Sequence, residues 1–256
     1  MLWGTRFVTC LTDSQAPKIA VYLVTDLASQ PLNPMELQQI ESHLQHSDYQ
    51  YRIKAIAALR DYPSEVAIPL LTKHILDEEF LVRTFVAREL GQQKAADAFA
   101  GLLELIMFDN TPNVRAEAAN SLSLFGQIAA PHLLQSFVRD DHWLVRISIF
   151  AALVEMDCPE VLLEVCQVAI AGEDRPVQEA AIDALGSLAK SEQKDQALAQ
   201  LLALKVAEAP YLRARSASAL KHFDTPAAKD ALVELRADPD HKVVGAAMEP
   251  LLEESN

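Results

Sequence analysis

Seven segments of the chain align without gaps about one pattern, and this internal repetition restricts the fold more than any other feature. They start at Tyr51-Arg52, Val82-Arg83, Val114-Arg115, Val145-Arg146, Val177-Gln178, Leu212-Arg213 and Val243-Val244, at intervals of 31, 32, 31, 32, 35 and 31 residues. A leucine always stands eight residues after the first member: Leu59, Leu90, Leu122, Leu153, Leu185, Leu220 and Leu251. Halfway between lies a small or apolar residue: Ala55, Val86, Ala118, Ile149, Ala181, Ser216 or Ala247. Three positions four apart form one stripe on a helix. Paired apolar residues mark a second helix set in between: Leu70-Leu71, Leu102-Leu103, Leu133-Leu134, Leu162-Leu163, Leu201-Leu202 and Leu232-Val233. Each repeat therefore reads as a helical hairpin. A hairpin alone leaves an apolar face bare, so neighbours must stack into a solenoid. The expected fold is all-α, an α-α superhelix of about seven hairpins across residues 32–256. Residues 1–31 are expected to be an N-terminal arm.

The joints carry further signals. Thr111-Pro112 and Thr225-Pro226 read as an N-cap followed by proline in the first helical position. Gly91 and Gly186, each one residue after a repeated leucine, are expected at helix C-termini. The polar run from Lys190 to Asp195 (KSEQKD) accounts for the long interval and predicts a slight break near the fifth repeat. Val244 and Pro250 make the last copy atypical, as a terminal repeat is expected to be.

Composition agrees with helix. Half the chain is apolar, and only 7 of 256 residues are glycine, too few for a turn-rich β fold. A net charge of −14 argues against nucleic acid or anionic lipid as a partner of the whole surface. The three cysteines, Cys10, Cys158 and Cys166, form neither a disulfide framework nor a zinc motif, so a reducing, cytoplasmic location is expected. The longest uncharged stretch, Ala118 to Val138, is broken by polar residues, Gly126 and Pro131, and no transmembrane segment is expected. Arg6, Asp13 and Asp26 sit wrongly for a secretory signal.

The pattern acidic–x–x–Val-Arg–x–x–Ala–x–x–x–Leu-Gly resembles the HEAT repeat, and more narrowly the short HEAT-like repeat of the phycobilisome-lyase class. Asp109 to Gly126 (DNTPNVRAEAANSLSLFG) and Asp141 to Leu153 (DHWLVRISIFAAL) carry the likeness best, and it spans residues 34–253. The resemblance implies a cyanobacterial setting. It also implies a non-catalytic scaffold or adaptor for a protein partner, such as a phycobiliprotein or a second HEAT-repeat subunit. The alternative is one subunit of a heterodimeric bilin lyase or isomerase, with a bilin as the one cofactor to expect. A further alternative is an adaptor for an iron–sulfur carrier protein.

Two rows of residues are candidates for the site. Arg52, Arg83, Arg115, Arg146 and Arg213 run beside an acidic row of Asp48, Asp77, Asp109, Asp141, Asp174, Glu208 and Asp240. The arginines are expected to form an internal ladder with acids at the joints, or else to receive carboxylates such as bilin propionates. Three residues before the arginine position stand Tyr49, Phe80, Pro112, Trp143, Arg175, Pro210 and His241. The core stripe does not call for aromatic rings there. Tyr49, Phe80 and Trp143, with Arg83 and Arg146 at their inner margin, are therefore the expected edge for a partner or a bilin. Otherwise each ring plugs the gap between hairpins. His43 and His46 share one predicted helix face and His74 lies one repeat after His43, but no fourth ligand stands at zinc spacing. Cys158 and Cys166 read as small buried residues. No catalytic or metal-binding residue is expected, because no nucleophile, phosphate-loop or zinc-protease motif is present.

Overall fold

A computed structural model describes residues 35–253, with side-chain surroundings up to Glu249. The arm expected over residues 1–31 lies outside the described residues. Fourteen α-helices form seven antiparallel hairpins. They are α1 (Leu37–Leu44) with α2 (Tyr49–Ala58), α3 (Ser64–Thr72) with α4 (Phe80–Gln93), and α5 (Ala96–Phe108) with α6 (Pro112–Ser123). Then follow α7 (Ala130–Arg139) with α8 (Trp143–Glu155), α9 (Pro159–Ile170) with α10 (Arg175–Ser187), α11 (Lys194–Leu204) with α12 (Pro210–Leu220), and α13 (Pro226–Leu235) with α14 (His241–Glu253). No strand occurs among the described residues.

The repeated leucines make the spine of the core. Leu59, Leu90, Leu122, Leu153, Leu185 and Leu220 are all fully buried. The preceding anchors Val82, Val114, Val145, Val177 and Val243 are buried too. Leu212 is only half-buried, and Tyr51 breaks the pattern and is exposed. Its helix, α2, opens the row of second helices, so no earlier second helix among the described residues covers it.

Consecutive second helices pack closely along the whole series from α2 to α14, whereas consecutive first helices touch sparsely. A stack spaced more tightly in one layer bends toward that layer, which places the second helices on its inner side. Two glycines permit this closeness. Gly91 and Gly186 lie within α4 and α10, not beyond their ends as expected. A Cβ on Gly91 would stand 2.8 Å from Cβ of Ser121, and one on Gly186 would stand 3.3 Å from Cβ of Ala219. Both glycines serve the approach of the next second helix.

The expected break near the fifth repeat falls in one layer only. The inner helices α8, α10 and α12 pack without interruption, but α9 and α11 hardly touch. At the caps, Thr225 accepts from the N–H of Ala228 as expected. Thr111 precedes α6 without capping it, and its hydroxyl accepts from Arg83 instead.

Candidate interaction edge and its arginine ladder

The site is built where the first helix of a hairpin turns into the second. In four hairpins an aspartate closes this joint: Asp77, Asp109, Asp140 and Asp238 accept from the backbone N–H two residues on, at 2.8–3.0 Å. That contact fixes the turn. It also holds the carboxylate toward the arginine of the preceding hairpin. Nε and one Nη of Arg52, Arg83, Arg115 and Arg213 grip both oxygens of Asp77, Asp109, Asp140 and Asp238, respectively, at 2.5–3.1 Å. The other Nη of each donates to the carbonyl six residues earlier in its own hairpin, at 2.7–2.9 Å. Each rung thus ties two joints through one planar fork.

Charge follows geometry. Burial disfavours the Asp77 carboxylate, but the hydrogen bonds from Arg52, the Glu79 N–H and His74 outweigh it and lower its pKa. The bond from Arg213 does the same for Asp238.

The ladder is internal, but only two of its four acids, Asp77 and Asp109, are ones the sequence singled out. Asp140 and Asp238 take the places expected for Asp141 and Asp240. Asp48 and Asp174 cap α2 and α10. Glu208 offers only its backbone carbonyl to Arg213.

Three joints lack the aspartate: His46 stands in its position in the first hairpin, where Nδ1 accepts from the Asp48 N–H at 3.0 Å, and Gly172 and Ala207 stand there six residues before Gln178 and Arg213. The rung at Gln178 closes by other means. Its side-chain amide donates to the carbonyls of Gly172 and Ile170 at 2.7 and 3.2 Å and accepts from the Tyr211 hydroxyl at 2.6 Å. The rung at Arg146 stays open. Arg146 turns Nε to the carbonyl of Asp140 at 2.6 Å and lays its guanidinium over the Phe137 ring, 5.3 Å from the centroid. Among the described residues no carboxylate forms an ion pair with it. Arg146 therefore departs from the expected ladder, because its partner position is a glycine.

Tyr49, Phe80 and Trp143 are the first residues of α2, α4 and α8 and so lie at the same end of their hairpins. Tyr49 is half-buried, Phe80 is 39% exposed and Trp143 is 47% exposed. The Trp143 indole stacks on the His142 ring with centroids 5.9 Å apart. Pro112 opens α6 between Phe80 and Trp143, so the aromatic row is interrupted. The two arginines at its margin differ. Arg83 is 8% exposed and fully engaged by Asp77, Asp109, Asn110 and Thr111, whereas Arg146 keeps both Nη groups unbonded among the described residues.

The same edge carries apolar side chains that the sequence reading missed. Leu76, Phe108 and Val206 are 85%, 74% and 76% exposed. Leu76 and Phe108 directly precede the joint aspartates Asp77 and Asp109, and Val206 precedes Ala207 in the same position. An apolar residue set against the Asp of the joint, outside either helical stripe, was the available signal.

The remaining candidates are structural. His43 and His46 pack against the Tyr51 ring, with centroids 5.2 and 4.1 Å away, and His74 meets Asp77 at 3.3 Å. No group of three or more metal-ligating side chains occurs among the described residues. Cys158 and Cys166 are buried, and burial pushes the Cys166 thiol far above its ordinary pKa, leaving it unreactive. No helix among the described residues is long and apolar enough to cross a membrane.

The sequence matches the family model of HEAT repeats over residues 75–154, 130–209 and 162–251. No curated protein matches it. Among solved structures, the complex of CpcE and CpcF of phycocyanin lyase from Nostoc sp. PCC7120 is similar at 21% identity. That match covers 91% of this chain and 93% of the other, with a TM-score of 0.49. Human deoxyhypusine hydroxylase is similar at 19% identity, over 86% of this chain and 97% of the other, with a TM-score of 0.38.

Proposed function

The chain belongs to the HEAT-repeat family, and from that premise we propose that it is a non-catalytic scaffold whose hairpin-turn edge binds a protein partner. One observation carries this reading: Leu76, Phe80, Phe108 and Trp143 stand exposed at the same end of successive hairpins. Large apolar side chains gathered on one edge are costly to leave in water, and they favour a partner that covers them. The resemblance of the repeats around Asp109 and Asp141 to the phycobilisome-lyase class supports a phycobilisome protein as that partner, in the cytoplasm.

Affinity capture from cyanobacterial lysate tests the reading. The wild-type chain should retain a phycobilisome protein, and Trp143→Ala should weaken that binding by about 2 kcal/mol with little change in melting temperature. Unchanged affinity together with a large stability loss would make Trp143 a packing residue and remove the edge. Absorbance of a bilin held by the isolated chain would instead favour the lyase-subunit alternative.

A further inference from the structure

Five of the six rungs between consecutive hairpins are closed by the protein's own atoms: four by aspartate and one by the Gln178–Tyr211 pair. Among the described residues, Arg146 alone has a guanidinium in the ladder position and no acid paired with it. Its neighbours make the missing group explicit. At Arg52, Arg83, Arg115 and Arg213 a single carboxylate is held by Nε and Nη at 2.5–3.1 Å. At Arg146 the residue that should supply it is Gly172, which has no side chain. Without a carboxylate the guanidinium has turned, giving Nε to the Asp140 carbonyl that Nη takes elsewhere. Trp143, one helical turn before Arg146, exposes its indole on the same helix.

We propose that the open rung at Arg146 receives one aspartate or glutamate side chain of a partner protein, in the place where Gly172 withholds the chain's own carboxylate. This rests on the reading of the hairpin edge as a partner-binding surface and names the chemistry of its polar contact. The fork fits a carboxylate in two parallel hydrogen bonds, and the adjoining indole accommodates an apolar neighbour of that acid. Net charge narrows the partner further. A surface of −14 repels a polyacidic segment, so the match is to a single acid beside apolar residues.

The test uses the full chain and two blocked dipeptides, acetyl-Leu-Glu-amide and its neutral counterpart acetyl-Leu-Gln-amide. Binding is followed at the side-chain Nε–H resonance of Arg146, assigned by its loss in Arg146→Gln. The Glu dipeptide should shift that resonance, and the Gln dipeptide should bind at least about tenfold more weakly, as loss of a charged hydrogen-bond partner requires. Gly172→Asp should abolish the response and move the Arg146 signal to the region of Arg52, Arg83, Arg115 and Arg213. A Cβ at position 172 meets only the Ala169 carbonyl closely, at 3.3 Å, so the variant should fold, and unchanged backbone dispersion will confirm it.

Equal binding of the two dipeptides would overturn the proposal, and so would a response that survives Gly172→Asp. A shift produced by biliverdin but not by the Glu dipeptide would also overturn it, by making the rung a site for small-molecule propionates. The titration needs no natural partner. A positive titration beside failed capture of a phycobilisome protein leaves the rung standing and the proposed partner wrong. Capture that is lost in Trp143→Ala but kept in both Arg146→Gln and Gly172→Asp supports the edge and refutes the rung.

Discussion

Leu122 and Arg115 lie on the same helix and stabilise the stack by different physics. Leu122 is fully buried, so Leu122→Ala leaves a cavity and should cost about 2–5 kcal/mol in denaturant titration. Arg115→Ala strips Asp140 of its fork and leaves a nearly buried carboxylate unpaired, which should cost about 1–3 kcal/mol. Arg146→Ala removes one bond to a carbonyl and should lower the melting temperature clearly less than Arg115→Ala. The titration of the acids has a definite sign. Asp77 and Asp238 have folded pKa values below their unfolded ones. Their stabilisation is complete above the unfolded value, about pH 4, and is lost as pH falls through the folded value. Asp238→Asn should therefore flatten the acid limb of stability against pH. Glu89 works the other way: burial raises its pKa despite the hydrogen bond from Arg60, so its contribution is lost as pH rises through the folded value. The leucines were legible in the sequence because their periodicity is local to one helix. The partners of Arg115 and Arg213 were not, because each sits 25 residues downstream in the next hairpin and Asp141 and Asp240 lie within two residues of them.

Whole helices show the same division. Fourteen helices could be read from apolar periodicity, because each hairpin repeats one pattern. The glycines could not, since a glycine after the last leucine of a stripe looks like a C-cap whichever helix lies across from it. Gly91 is needed where α4 meets α6, with Ser121 only 2.8 Å from where a Cβ would stand. Gly91→Ala must push two second helices apart and should cost about 1–3 kcal/mol by thermal or chemical unfolding. Gly186→Ala, with its nearest contact at 3.3 Å, should cost less. Equal losses would mean that helix propensity rather than helix separation governs both sites. The exposed edge was legible in part for a related reason: Tyr49, Phe80 and Trp143 share a helix-start position, whereas Leu76 and Phe108 lie in or beside joints that periodicity does not describe.

Across the molecule, coupling between neighbouring hairpins is the sum of two helix layers and the rungs that join them. From α3 to α8 all three are in place. Around α9 to α12 they thin out in turn: at the fourth interface α7 and α9 still pack but Gly172 gives Arg146 no carboxylate, and at the fifth α9 and α11 hardly touch and Ala207 supplies none. At that fifth interface the inner packing of α10 on α12, the Gln178–Tyr211 contact and the ion pairs of Arg215 with Glu179 and Asp183 carry the connection. A stack of nearest-neighbour units opens first where an interface is weakest, so residues 194–249 should unfold as a block at lower free energy than the hairpins of α3 to α8. Native-state hydrogen exchange would show this as a shared, lower plateau for amides of α11 to α13. Gln178→Arg combined with Ala207→Asp rebuilds the fifth rung in the form the other hairpins use, and should raise that plateau toward the value for α5 to α8. If exchange is uniform along the wild-type stack, or the rebuilt rung leaves the plateau unchanged, the rungs contribute turn geometry and not coupling between hairpins.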